Sequence, residues 1–316
     1  MNATVGVDLG GTHMQVGVVN AACEIVGRAG TKTESSRGPA AILDTIAEQV
    51  RLALDRAGLS RADAIGLAAP GAVDPERGIV LNAPNLKWDD LPAAEELQRR
   101  LDMPVVLDND VNAAAFAEQR LGAGKGCNDL LGLWIGTGIG GGLVLRGEVY
   151  HGPRRTAGEI GHVIIDPNNA KGRRELEHQC SRTAISRDIR EAIESGEPSV
   201  LAEIIAQTGT CNSAQIASAL TQGDKLALRV VNVAAEKIGR VLGTMVTMLS
   251  LERIVVGGGL VEEAGAFIVE PIQRATRETA WPEELRNVEV RATVLGPNAG
   301  LTGAALLAAA RLGAGA

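Results

Sequence analysis

The chain has 316 residues, 45 % of them hydrophobic but only 2 % aromatic, and a formal net charge of −7. With no basic run it is not expected to take nucleic acid as its main partner, and a core of Val, Leu, Ile and Ala is large enough for one large domain or two medium ones. The longest apolar helical pattern, Val230 to Leu251, is interrupted by Glu236, Lys237 and Arg240, so no membrane span is expected, and no charged-then-apolar leader opens the chain.

Thr4 to Leu9 reads as a strand, Gly10-Gly11-Thr12 as a tight turn and Met14 to Val19 as the return strand of a hairpin. A third strand is expected over Glu24 to Thr31. Residues 39–57 carry apolar positions at helical spacing, Ile42, Ile46, Val50 and Leu54 among them. Ala64 to Ala68 is a strand ended by Pro70-Gly71. Asn82 to Trp88 reads as a polar loop, and a short helix over 93–101 leads into a buried strand, Val105 to Leu107. The polar run Asp108-Asn109-Asp110 follows, and then an alanine-rich helix to Leu121, closed by Gly122-Ala123-Gly124.

The opening pattern then recurs. Leu130 to Ile135 is an apolar strand, Gly136 to Gly142 a glycine-rich turn and Leu143 to Leu145 a return strand, which makes a weak internal repeat and suggests two similar lobes. Residues 151–182 are polar and loop-like. Helices dominate from Thr183 to Leu251, with breaks near 196–198 and 209–212. Arg253 to Val256 is a strand, Gly257-Gly258-Gly259 turns into a helix near Val261 to Arg277, Val288 to Val294 is a strand, and Gly300 to Leu312 a closing helix.

Two features carry chemistry. Asp110 lies in the first turn of a helix beyond a strand end, where α/β sheets place ligands and where a carboxylate can accept a proton from a bound hydroxyl; a helix cap with spare acids is the plainer alternative, with Asp108 or Asn109 as the cap. Three glycine turns, 10–12, 136–142 and 257–259, each follow a strand, and backbone N–H groups there can approach phosphate oxygens. Asp8, at the end of the first strand, is placed to hold a hydrated metal ion. None of the turns fits the P-loop pattern, and the G-x-G-x-x-G within Gly136 to Gly141 precedes a strand instead of the helix a dinucleotide site needs. The four cysteines, Cys23, Cys127, Cys180 and Cys211, are far apart without C-x-x-C, as in a cytoplasmic protein with reduced thiols.

Taken in order, Val7-Asp8-Leu9-Gly10-Gly11-Thr12, Pro70-Gly71, Pro84-Asn85-Leu86, Asn109-Asp110-Val111-Asn112-Ala113-Ala114, Gly136-Thr137-Gly138-Ile139-Gly140-Gly141-Gly142, Gly158-Glu159-Ile160-Gly161-His162 and Val256-Gly257-Gly258-Gly259 resemble the ROK family (repressor, open reading frame, kinase) over almost the whole chain. The resemblance implies a two-lobed α/β fold of the actin-like and hexokinase-like ATPases, with ribonuclease H-like lobes, a cleft between them and closure over a sugar. The lobes are expected at 1–108 and 109–298, with the closing helix, 299–316, packing back on the first. It implies ATP-dependent phosphorylation of a hexose with Mg²⁺, glucose first.

Carried over residue by residue, Asp110 matches the catalytic base. Asn85, Asn109, Glu159, His162 and Glu177 match sugar contacts. Asp8 with Gly10, Gly11 and Thr12 matches the first phosphate loop, Gly136, Thr137, Gly138 and Gly140 the second, and Gly257, Gly258 and Gly259 the adenosine loop. Two departures stand out. The family's cysteine-rich zinc motif before Leu-Glu is replaced by Asn169-Ala170-Lys171-Gly172-Arg173-Arg174-Glu175, leaving only His162, Cys180 and His178 as ligands, so zinc is not expected. His13 stands where the family often has Lys. Kinases for N-acetylmannosamine, fructose or allose, and polyphosphate as donor, are the nearest alternatives. A sugar-sensing regulator is disfavoured because only seven residues precede Asp8, and an actin-like filament protein because the sugar-contacting set is present. A homodimer or homotetramer is expected.

Overall fold

In the computed structural model, which describes residues 3–314, the chain divides into two compact units. The first runs to Leu121 and adds Val149–Ala157 and the segment from Pro297 onward; the second takes Gly122–Glu148 and Gly158–Gly296.

The first unit contains β1 (Ala3–Leu9), β2 (His13–Asn20), β3 (Ile25–Lys32), α1 (Pro39–Arg56), β4 (Ala64–Ala69), β5 (Ala72–Asp74), β6 (Ile79–Ala83), β7 (Trp88–Leu91), α2 (Ala93–Leu101), β8 (Val105–Asn109) and α3 (Asp110–Leu121). Its main sheet has the order β3-β2-β1-β4-β8. β1 and β2 form the expected hairpin, with Asp8 opposite Gln15, and β4 and β8 join in parallel. β1 is buried along nearly its whole length: Ala3, Val5, Val7 and Leu9 share one face, and Thr4, Gly6 and Asp8 the other, against which the C-terminal helix packs. The stretch expected as a polar loop holds parts of two strands, because β5, β6 and β7 form a small sheet. Between Ile79 and Leu91 only Val80, Ala83, Leu86 and Trp88 are buried, too short a pattern to stand out in the sequence.

The second unit contains β9 (Leu130–Ile135), β10 (Ile139–Leu145), the start of β11 (Glu148–Val149), α4 (Leu176–Cys180), α5 (Arg182–Glu194), α6 (Ala202–Thr208), α7 (Ser213–Thr221), α8 (Lys225–Leu249), β12 (Arg253–Gly257), α9 (Gly259–Ala264), α10 (Ala266–Thr279) and β13 (Glu289–Ala292). Its sheet order, β11-β10-β9-β12-β13, corresponds strand for strand to that of the first unit, with β12 and β13 parallel to β9. The return strand starts at Ile139, so Gly140, Gly141 and Gly142 lie in β10 and only 136–138 remain as the turn. A Cβ at Gly141 would stand 2.3 Å from the Gly158 carbonyl oxygen, and this close approach is the reason for glycine inside that strand. The helix expected near 261–277 is two helices, broken at Gly265, whose φ is +52°.

The first unit continues through α3 instead of ending at residue 108, because α3 packs on α11 (Ala299–Ala314). α11 also lies on β1 and β4. The contact is backbone on backbone: a Cβ at Gly303 would stand 1.8 Å from the Ala113 carbonyl oxygen. Gly303→Ala therefore forces α11 away from α3, with an expected loss of about 2–4 kcal/mol in chemical denaturation. Gly313→Ala, in the same helix with nothing within 4 Å, should be neutral or stabilise by up to ~1 kcal/mol. Equal small effects at both positions would show that α11 shifts freely.

Candidate active site

In the first unit the site is built on the end of β1 and on the β8–α3 corner. Asn109 is the helix cap: its Oδ1 accepts from Val111 N at 2.9 Å and Asn112 N at 3.1 Å, while its Nδ2 donates to the Gly71 carbonyl at 3.1 Å. Asp110, in the first turn, is partly exposed and accepts from Val111 N at 2.9 Å. Asp108 is not a cap for the later amides. It is buried, with Oδ1 accepting from Asn109 N and Asn112 Nδ2 and Oδ2 hydrogen-bonded to His151 Nε2 at 2.8 Å.

The turn after β1 is closed by Gly10 N donating to His13 O and by the Thr33 hydroxyl donating to Gly10 O at 2.7 Å. A Cβ at Gly11 would lie 3.3 Å from the Asn85 Cβ, so this turn and the exposed Pro84-Asn85-Leu86 tip are neighbours. Leu86, fully buried, anchors that tip. Asp8 has no hydrogen bond or ion pair among the described residues, and Gly300, in the first turn of α11, lies so close that a Cβ there would be 2.6 Å from its Oδ2. Burial pushes the Asp8 carboxyl up to about 6. His13 is exposed at the start of β2.

In the second unit, the turn 136–138 is held by its neighbours on every side. Gly136 N donates to Gly138 O, Arg182 N to Gly136 O, the Thr183 hydroxyl to Thr137 O, and Ile139 N to Glu177 Oε2 at 2.8 Å. A Cβ at Gly138 would stand 2.1 Å from Glu177 Oε2, so a side chain there would push the Glu177 carboxylate aside. The Gly158–His162 segment packs on the same place: a Cβ at Gly161 would meet the Ile139 carbonyl oxygen at 2.2 Å and the Glu177 Cβ at 3.5 Å. Glu159, His162 and Glu177 are thus gathered beside the turn; Glu159 and His162 are largely exposed, with Oε2 and Nε2 3.9 Å apart. The third glycine turn, Gly257 to Gly259, leads from β12 into α9, and Gly258 has φ +89° with a Cβ position 2.7 Å from the Ile135 carbonyl oxygen.

Two residues, His151 and Arg182, carry no direct signal of their role in the sequence. His151, partly buried, pairs with the buried Asp108, and the two lie far apart in the chain. Arg182 donates from Nη2 to Thr137 Oγ1 at 3.0 Å and brings a cation to the 136–138 turn; the signal that existed was the helix cap just before it, where Ser181 Oγ accepts from Ala184 N. Gly140 lies in β10, paired with Trp134, and not in the turn.

No group of three or more His, Cys, Asp and Glu side chains is placed to hold a metal among the described residues. Cys180 is buried, its thiol pushed up to about 12 by that burial, and the His178 ring is paired with Glu175. The 166–180 segment is tied by other means. Gln179 Nε2 donates to Arg173 O and Lys237 Nζ to Gln179 Oε1, both at 2.7 Å; the Arg173 guanidinium pairs with Glu191, and Leu176 N donates to Val163 O.

The ROK family's sequence pattern matches residues 4–311. A glucokinase of Halalkalibacterium halodurans is 35 % identical over 95 % of this chain and 92 % of its own, and one of Thermotoga maritima 32 % identical over 98 % of both. Among solved structures, a ROK family glucokinase from Streptomyces griseus, in complex with glucose and AMPPNP, superposes with a TM-score of 0.86 at 31 % identity, over 98 % of this chain and 100 % of that one.

Asp8 supplies a test of the site's electrostatics. Its carboxyl is raised from 3.8 to about 6 in the folded chain, so the fold binds this proton more tightly than the unfolded chain does. Stability contributed at low pH is then lost as pH rises from about 4 to 6, and the loss is complete above. Asp8→Asn should lack this loss. At pH 8 it should be more stable than the wild type by on the order of 1–3 kcal/mol, with the difference gone below pH 4. Equal stability of the two proteins across that range would show that the carboxylate is well solvated.

Proposed function

Since the chain belongs to the ROK family, with its two-lobed hexokinase-like ATPase fold, we propose that it transfers the γ-phosphoryl group of ATP to the 6-hydroxyl of glucose. The observation that carries this reading is the β8–α3 corner, where Asn109 caps the helix through Oδ1 and Asp110 stands beside it in the first turn.

Asp110 takes the proton of the sugar hydroxyl as that oxygen forms its bond to the γ-phosphorus. The bond from phosphorus to the β,γ-bridging oxygen breaks, and ADP leaves. There is little covalent chemistry for the protein in such a transfer; it positions the reactants and stabilises charge. Asn109 and Asn85 are the sugar contacts of the first unit, and Glu159, His162 and Glu177 those of the second. Glu177 can serve twice, because Oε2 is given to Ile139 N and Oε1 remains for a hydroxyl. The turns at 10–12 and 136–138 offer backbone N–H groups to phosphate, with Arg182 as a further donor, and Gly257 to Gly259 takes the adenosine end.

Mg²⁺ fits Asp8. A half-buried carboxylate without a protein donor is stabilised as an anion by a cation, and Mg²⁺ is commonly bound through one or two carboxylates, water and substrate phosphates. Bound there, the ion would neutralise charge on the ATP phosphates. No zinc is proposed: among the described residues no three His, Cys, Asp or Glu side chains gather there, and the Gln179, Lys237 and Arg173 bonds would order the 166–180 segment without a metal.

The test is a coupled assay over glucose, mannose, N-acetylmannosamine, fructose, allose and 6-deoxyglucose, with ATP and polyphosphate as donors. Glucose with ATP should give the highest kcat/KM, and 6-deoxyglucose no product. Asp110→Asn should lower kcat by about 10²–10⁴-fold while glucose binding by calorimetry changes little; retention of more than about a tenth of kcat would exclude Asp110 as the base. A preference for an N-acetylated sugar or a ketose would overturn the glucose assignment alone.

Metal analysis of protein purified without chelators should find well under one zinc per chain. A stoichiometric zinc whose removal abolishes activity would refute the metal-free ordering of 166–180. The proposed homodimer or homotetramer is checked on the same preparation by light scattering at micromolar concentration.

A further inference from the structure

Asp108 is 5 % exposed and stands two residues before the proposed base. A buried carboxylate is costly unless its oxygens receive hydrogen bonds, and this one has donors on both. Oδ1 accepts from the Asn109 amide at 2.8 Å and from Asn112 Nδ2 at 3.1 Å; Oδ2 is hydrogen-bonded to His151 Nε2 at 2.8 Å. His151 is the one cationic or ring donor of the set, and it comes from a different part of the chain. It lies in the short segment Val149–Ala157, which leaves the second unit after Glu148 and belongs to the first. Arg155 fastens the same segment a second time, pairing with Glu76 and lying 3.9 Å from Asp74.

The bond network runs on from Asp108 to the reacting group. The Asn109 amide is held by Asp108, the Asn109 side chain caps α3 and reaches Gly71, and Asn112, also held by Asp108, sits one turn into the same helix. The backbone on both sides of Asp110 is thereby fixed by groups that Asp108 orients. We propose that His151 is a positioning residue for phosphoryl transfer: by holding Asp108 Oδ2 it keeps the Asp108–Asn109–Asp110 corner in register, and with it the aim of the Asp110 carboxylate at the sugar hydroxyl. The proposal rests on the kinase reading above. His151 itself touches neither reactant in this account. An ionised carboxylate can only accept, so in this pairing Nε2 donates to Asp108 Oδ2.

Three variants separate positioning from bulk packing. His151→Gln places an amide donor at about the reach of Nε2. His151→Asn is as polar but too short to reach Asp108, and His151→Phe keeps the ring without a donor. With kcat normalised to active sites counted by glucose calorimetry, His151→Asn and His151→Phe should each lose about 10- to 100-fold in kcat, as a small misplacement of a base does. KM for ATP should stay within about threefold of the wild type, and His151→Gln should recover most of the lost kcat.

A packing role predicts the opposite order, with lower thermal midpoints, unchanged kcat per active site and no advantage of Gln over Asn. That outcome overturns the proposal. If His151→Phe fails to fold, the Gln and Asn pair still decides it. Wild-type turnover is measured first. A wild type active on glucose with an equally active His151→Asn sinks this inference alone, whereas a wild type inactive on every sugar sinks the kinase reading and this inference with it.

Discussion

The first unit depends on a helix packed directly against backbone. A Cβ at Gly66 would stand 1.8 Å from the Ala304 carbonyl oxygen, one at Gly6 1.9 Å from that of Leu301, and one at Gly303 1.8 Å from that of Ala113. Only hydrogen fits at these positions, so α11 lies closer to β1, β4 and α3 than side-chain packing allows. The chemistry at the end of β1 follows from this spacing. Gly300, in the first turn of α11, is brought onto the Asp8 carboxylate, whose ionised form burial disfavours and whose side chain has no hydrogen-bond partner among the described residues. The same helix backs α3, whose first residue is Asp110. The electrostatic state of one acid and the seating of another thus trace back to three glycines, Gly6, Gly66 and Gly303.

The second unit uses the same strand–turn–strand element differently. Its turn is already occupied by protein groups. A carboxylate oxygen of Glu177 takes the Ile139 N–H, Arg182 reaches Thr137, and a side chain at 138 would displace the Glu177 carboxylate from that N–H. Glu177 is carried by α4, which is only five residues long, and so short a helix has little stability of its own. Its position comes from tertiary bonds. Gln179, buried in α4, is held at both ends of its amide by Arg173 O and Lys237 Nζ, and the His178 carbonyl accepts from Arg187. These are directional bonds among partly buried groups, where a lost partner leaves an unsatisfied one behind.

Long apolar runs and glycine punctuation made most of the fold legible in the sequence. The hairpin of β1 and β2, α3 from Asp110 to Leu121 and β9 from Leu130 to Ile135 lie at the expected places, because each has a clear period or a clear stop. The β5-β6-β7 sheet was hidden, since its strands are short and its buried residues few. Gly140 to Gly142 were mistaken for turn because glycine clusters mark both turns and strands pressed against other backbone; only the position of Gly158 tells the two apart. For the site, Asp110, Asn109 and the glycine turns were visible as local patterns. His151 was not, because a histidine in a polar loop has no local signature, and its partner Asp108 is 43 residues away in the chain. Arg182 was overlooked for the same reason.

The two phosphate turns also differ in how each unit meets negative charge. Around 136–138, the anion already present is held by a backbone amide and the Arg182 guanidinium lies on the same turn, so a phosphate arriving there finds a protein cation at hand. Around 10–12 no cationic side chain is hydrogen-bonded to the turn among the described residues. Asp8 lies at the strand end in a setting that disfavours its ionised form, and His13, beyond the turn, points outward and is exposed. An anion of ATP brought to that turn alone would face a carboxyl group poised near neutral pH. Protonation of Asp8 or a bound cation removes that repulsion, and only the cation also offers positive charge to the phosphate. In the proposed reading the dependence on Mg²⁺ is therefore a property of the first unit, set by the close approach of α11, while the second unit would meet phosphate with its own side chains.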